Sequence, residues 1–243
     1  MIRAFAVVAS AASTVAAITP STPSYTEPSP VGRSVQGRLL RVVVRGNPAS
    51  PRRILVFGCI HGNECAGAAI VNELRSHTPS AGTAIWIVDD LNPDGHNAGT
   101  RPNVRGVNLN RNFPWRWHLI ARPGNPDYSG TSVLSEPEAR FAAALIHHVQ
   151  PQVTVWSHQD LNLVDLSGGS PVIERRYACL VGSRVRQLQR YDGSASTWQN
   201  HTFPGTTAFV VELPSGHLSR RQAQRHALAV RRLATAGPPP GCP

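Results

Sequence analysis

The stretch Arg53-Ile54-Leu55-Val56-Phe57-Gly58-Cys59-Ile60-His61-Gly62-Asn63-Glu64 decides the fold. An apolar, β-rich run ends abruptly in a polar turn. The residues that follow, from Glu64 to His77, repeat Ala, Val and Leu at helical spacing. A strand apolar on both faces that feeds a helix belongs inside a sheet covered on both sides. Ligands of such sheets gather at the carboxyl ends of the strands. His61 and Glu64 fall at such an end.

The same alternation continues outward. Leu39 to Val44 and Ala84 to Asp89 read as strands, and Asn92-Pro93-Asp94-Gly95 as a turn. Gly99 to Tyr128 is polar, Arg/Asn-rich and aperiodic, a length of irregular chain that compact domains keep for function. Ser135-Glu136-Pro137-Glu138 opens a helix to about Val149, with Ser135 as N-cap. Val153 to Trp156 is a short apolar run ending in Ser157-His158. Val172 to Arg190 reads as a helix, Ala208 to Leu213 as a strand, and Ser219 to Leu233 as an Arg-rich helix. The expectation is an α/β domain with a largely parallel sheet.

Composition narrows the chemistry. All 24 cationic residues are Arg, against 14 acidic ones, for a formal charge of +10 in 243 residues. With no Lys, a Schiff base or a P-loop is excluded. At 41% hydrophobic and 16% charged, the chain is neither a disordered polyelectrolyte nor a membrane-embedded bundle. It contains no recognisable nucleic-acid-binding module. Residues 1–17 read as an export signal, with Arg3 before an Ala-rich apolar run; 18–31 as a Pro/Ser/Thr-rich linker; 32–236 as one catalytic domain; 237–243 as a Pro-rich tail. Four Cys in an exported chain suggest disulfides. Cys179 and Cys242 would pin the tail, whereas Cys59 and Cys65 are either a bridge or two buried small hydrophobes.

An imidazole and a carboxylate three residues apart suit Zn²⁺, with a third ligand from another strand end. His158, closing VTVWS, is so placed. Here the sequence resembles the zinc carboxypeptidases of the carboxypeptidase A type, from about Gly32 to the last helix. The motifs are GCIHGNE, NPDG with Thr100-Arg101-x-Asn103, GVNLNRNFP (106–114), SEPE, the isolated His158, and Glu212 in VVELP.

The resemblance implies a mixed, mostly parallel eight-stranded sheet between helices, one Zn²⁺ per chain, and a peptide substrate with a free C-terminal carboxylate. It makes His61, Glu64 and His158 the zinc ligands and Glu212 the general base. Arg101 becomes the oxyanion stabiliser, and Asn110 with Arg111 the holders of the substrate's carboxylate. A guanidinium grips a carboxylate with two parallel hydrogen bonds, which an ammonium cannot copy.

Three departures refine this. Tyr191, in Tyr191-Asp192-Gly193-Ser194-Ala195-Ser196-Thr197-Trp198, resembles the family's mobile tyrosine, though the segment is two residues shorter. Ser196 falls where the specificity pocket would be lined, and offers no acid for a basic side chain. Gln159-Asp160-Leu161-Asn162 after His158 differs from the digestive enzymes, and the chain is shorter than they are. It is similar to the compact bacterial branch, murein peptide amidases that cut the γ-D-glutamyl–diaminopimelate bond. One rival reading is a zinc deacylase of N-acyl amino acids, of the succinylglutamate desuccinylase or aspartoacylase kind. The other is a non-catalytic basic wall-binding protein.

Overall fold

The computed structural model describes residues 31–233. Strands β1 (Gly32–Arg33), β2 (Leu39–Leu40), β3 (Val42–Gly46) and β4 (Arg52–Phe57) precede helix α1 (Gly67–Arg75). Then come β5 (Thr83–Val88), α2 (Pro93–Ala98), α3 (Pro137–Val149), β6 (Val153–Asp165), α4 (Pro171–Val181), β7 (Arg184–Arg186), α5 (Ala195–Thr202), β8 (Thr207–Pro214) and α6 (Arg220–Leu233). The export signal and the 237–243 tail lie outside the described residues, as does nearly all of the linker.

The main sheet runs β3-β5-β4-β6-β7, with β8 also paired to β6. β3 is antiparallel to β5; β4 runs parallel to both β5 and β6. Alternation sorts the side chains onto two faces. Leu55, Phe57, Trp86 and Trp156 meet α3 and α5. Ile54, Val56, Ile87 and Val211 meet α1, α4 and α6. Phe57 and Trp156, on neighbouring strands, stack at 3.9 Å. Each such buried side chain contributes about 1.5–3 kcal/mol.

The α/β class and the mostly parallel sheet match the expectation; the strand count differs. Six strands form the main sheet, while β1 and β2 pair in a separate ribbon. One reason is β6, whose 13 residues fill two positions. Val153 to Asp160 pair in ascending order with Thr207 to Pro214; then Leu161 shares Pro214, Leu163 pairs Glu212 and Val164 pairs Val211. The partner order reverses, so Glu212 has His158 on one side and Leu163 on the other.

Other local readings are corrected too. The helix expected to Arg190 ends at Val181, because Gly182 takes a left-handed φ of 69° and hands the chain to β7. Ser135 does not cap α3. Glu136 holds that position without a side-chain cap, and Ser135 donates to the Glu136 carboxylate. Asn92-Pro93-Asp94-Gly95 starts α2, with Asn92 as its side-chain cap.

Candidate active site

β4 delivers the chain to a loop closed by a Cys59–Cys65 disulfide, Cα–Cα 4.7 Å. His61 and Glu64 lie inside that ring. Of the two readings for these cysteines, the bridge holds. Cys179 is also disulfide-bonded, and its expected partner Cys242 lies outside the described residues. From the neighbouring strand β6 comes His158. His61 Nδ1 is 3.0 Å and His158 Nδ1 3.2 Å from Glu64 Oε2, and all three residues are buried.

The donor set of this cluster could hold a cation. Asn108 donates its amide to the Pro126 carbonyl at 3.0 Å, which turns its Oδ1 toward His61 Nε2, 2.9 Å away. The His61 proton therefore sits on Nε2, and Nδ1 points a lone pair at Glu64 Oε2. Burial, followed by neighbouring His158 and Arg101, holds the His61 pKa well below its usual value. Burial lowers that of His158 to about 4. With both rings neutral near pH 7, a nitrogen lone pair faces a carboxylate oxygen, a pairing costly when buried unless a metal lies between. The donors fit zinc, which His61, Glu64 and His158 would hold.

The Arg/Asn-rich loop supplies the opposite wall, and its asparagines divide the work. Asn108 orients His61. Asn110 accepts from Ala195 N at 2.9 Å, and its amide nitrogen lies 3.4 Å from His158 Nε2. Asn112 donates to the Ser129 and Ser132 carbonyls and accepts from Glu136 N, which ties the loop to the start of α3. The SEPE acids belong to the same scaffold: Asn103 donates to the buried carboxylates of Glu136 and Glu138. Gly193, at φ 71°, passes so near the loop that a Cβ would sit 2.2 Å from the Arg111 carbonyl oxygen. Its carbonyl accepts from Phe113 N and its N–H donates to Trp115 O, so α5 is lashed beside the loop.

A cleft of about 110 Å³ opens between these walls. Arg101, Asn110, Arg111, His158, Tyr191, Ser196 and Glu212 all line it. Glu212 Oε2 is buried without a hydrogen-bond partner among the described residues. Arg101 is bonded to Glu64 Oε1, so its guanidinium stands beside the candidate metal ligands. Burial, together with the nearby Arg111, holds the Arg101 pKa below its usual value. Arg111 pairs with Asp127 at 3.0 Å and lies 3.9 Å over the Tyr191 ring. The metal, catalytic and substrate-binding candidates named from the sequence thus all lie in or immediately behind one cleft.

Asn108, Asp127, Asp165 and Arg190 were not singled out. Asn108 sits inside the quoted GVNLNRNFP motif, and its place two residues before Asn110 was the available signal. Asp165 and Arg190 had none, because Gln159-Asp160 interrupts the apolar run and hides the second arm of β6.

A triad able to hold a metal at the carboxyl ends of sheet strands, with an adjacent carboxylate and two guanidinium groups, fits a metallohydrolase class of site. The zinc carboxypeptidase family model matches residues 12–178, and the chain belongs to that family. Murein peptide amidase A of Escherichia coli strain K12 is 33% identical over 146 residues, 55% of this chain and 60% of that protein. Gamma-D-glutamyl-L-diamino acid endopeptidase 1 of Lysinibacillus sphaericus is 26% identical over 79% of this chain and 61% of its own length. The chain thus spans about three fifths of the curated relatives it matches. The structure of murein-tripeptide amidase from Escherichia coli O157 superposes with a TM-score of 0.69 at 24% identity, over 88% of this chain and 95% of that one. Carboxypeptidase A from Helicoverpa armigera gives 0.69 at 17% identity, over 84% and 66%. These two likenesses establish the shared fold. No helix among the described residues is long and apolar enough to cross a membrane.

Proposed function

We propose that the protein is an exported zinc-dependent hydrolase that releases a C-terminal residue from a peptide, with the γ-D-glutamyl–diaminopimelate bond of cell-wall peptides as its target. The observation that carries the reading is the convergence of His61 Nδ1, His158 Nδ1 and Glu64 Oε2 near Glu212, whose Oε2 has no hydrogen-bond partner among the described residues. The relatives' printed activities support the choice of bond, and the Cys59–Cys65 bridge suits an oxidising compartment.

Zinc, when bound, supplies Lewis-acid polarisation and makes water a nucleophile near neutral pH. The chain's own groups do the rest. Arg111 and Asn110 hold the substrate's terminal carboxylate. Glu212 accepts a proton from the attacking water on Oε2 and returns it to the leaving nitrogen, so that one amide and one water become one carboxylate and one amine. Arg101 leaves Glu64 to meet the negative charge that develops on the scissile oxygen, a role commonly worth about 3 kcal/mol.

Metal analysis with an activity assay tests this. The expected result is about one zinc per chain, and a Glu212→Gln variant that keeps the zinc but loses hydrolysis. Retained hydrolysis would refute the assigned base. Cleavage confined to N-acetylaspartate or N-succinylglutamate would move the protein to the deacylases.

A further inference from the structure

Besides Asn110 and Arg111, the cleft is lined by a second charged pair. Arg190 Nη1 donates to Asp165 Oδ2 at 2.8 Å, and both residues line the cavity that contains Glu212 and Arg111. The two partners are not equally available. Asp165 has 5% of its side chain exposed against 32% for Arg190. The carboxylate is already filled: it accepts from Leu188 N at 2.8 Å and from Ser167 Oγ at 2.6 Å as well as from Arg190. An incoming ammonium would find few free lone pairs there, whereas Arg190, which lines the cavity, carries N–H donors beyond the one given to Asp165.

The rest of the cationic equipment has other work. Arg111 serves the terminal carboxylate and Arg101 stands at the metal ligands. Ser196, Thr197 and Val210 make the intervening wall small and uncharged. We infer that Arg190, held in place by Asp165, binds a second carboxylate at the end of the leaving residue's side chain. The selected substrates are those whose leaving residue carries an acidic head in addition to its terminal carboxylate. The inference rests on the hydrolase reading above and adds to it the group that reads the side chain.

Diaminopimelate and lysine isolate the point, because they differ only by the carboxylate on the distal carbon. A matched pair of L-Ala-γ-D-Glu tripeptides, one ending in diaminopimelate and one in L-lysine, is assayed with the intact zinc-loaded chain. A third peptide carries the distal carboxylate as its carboxamide. One charge-assisted bidentate contact predicts that kcat/KM for the free acid exceeds both others by about 10- to 100-fold. In Arg190→Gln this ratio should collapse toward one, and Arg190→Lys should restore part of it. Equal cleavage of the three peptides by the unaltered protein overturns the inference and leaves the hydrolase reading standing. A ratio that persists in Arg190→Gln also overturns it, since a purely structural Arg190 would depress all substrates alike. Cleavage of none of the three removes both the inference and the proposed bond.

Discussion

Asn108 fixes which nitrogen of His61 is free. Its Oδ1 accepts from His61 Nε2 at 2.9 Å, and its amide is anchored on the Pro126 carbonyl. Replacing it by Leu keeps the volume and removes the acceptor. Zinc affinity should fall about 10- to 100-fold, measured by competition with a chromophoric chelator, with the far-UV circular dichroism unchanged. Affinity equal to that of the unaltered protein would mean the imidazole needs no such partner.

Asp127 pairs with Arg111 Nη2 at 3.0 Å and so competes for the guanidinium proposed to hold the substrate's carboxylate. Asp127→Asn should therefore free the guanidinium and lower KM several-fold with little effect on kcat. Arg111→Ala should lower kcat/KM by about 10- to 100-fold, and Arg111→Lys should recover little of it, because the ammonium lacks the fork. Peptides with a C-terminal carboxamide give the control: for them the penalty of Arg111→Ala should vanish.

The Cys59–Cys65 bridge closes a short ring around two metal ligands. Chain-entropy arguments give a loop of this length about 2 kcal/mol. The double substitution to Ser should lower stability by about that much in urea melts, and should weaken zinc binding because the ligand loop gains conformations. Unchanged zinc affinity would show that the β4 end and α1 suffice to hold the loop.

His226 predicts an acid-sensitive stability. Burial lowers its pKa from 6.5 to about 4, with Arg225 adding to the effect, and Tyr177 Oη lies 2.9 Å from its Nδ1. Between these values the unfolded chain binds a proton that the folded chain refuses. The contribution is therefore fully present above pH 6.5 and is lost as pH falls toward about 4, up to about 3 kcal/mol. His226→Gln should flatten that part of the stability profile relative to the unaltered protein. Parallel profiles would remove His226 as the cause.

How far the sequence carried these conclusions depended on where each residue's signal was stored. His61, Glu64 and His158 follow apolar strands, so period and position marked them at once; Glu212, though it lies on such a strand, was marked only through motif resemblance. Arg101, Asn110 and Arg111 lie in aperiodic chain and emerged only through motif resemblance. The helix read through Arg190 failed because Gly182 ends it by backbone conformation, a signal outweighed by the flanking Val and Leu. The second arm of β6 was invisible because its polar Gln159-Asp160-Leu161-Asn162 reads as a loop. Its strand character comes from pairing with β8 and β7, not from its own composition.

That second arm sets a length. Continuing its register one step beyond Val164 and Val211 brings Asp165 beside Val210, one strand across and two residues below Glu212. Strand spacing and rise make that offset roughly 8 Å. It is fixed by backbone hydrogen bonds, not by rotamers or a mobile loop. Under the proposed mechanism the sheet would work as a caliper set between the Glu212 carboxylate and Asp165. On the inference drawn for Arg190, a long leaving side chain would span the jaws and a short one would fall short. Exchanging single side chains can alter which head group is gripped, but a different reach would require a different strand order.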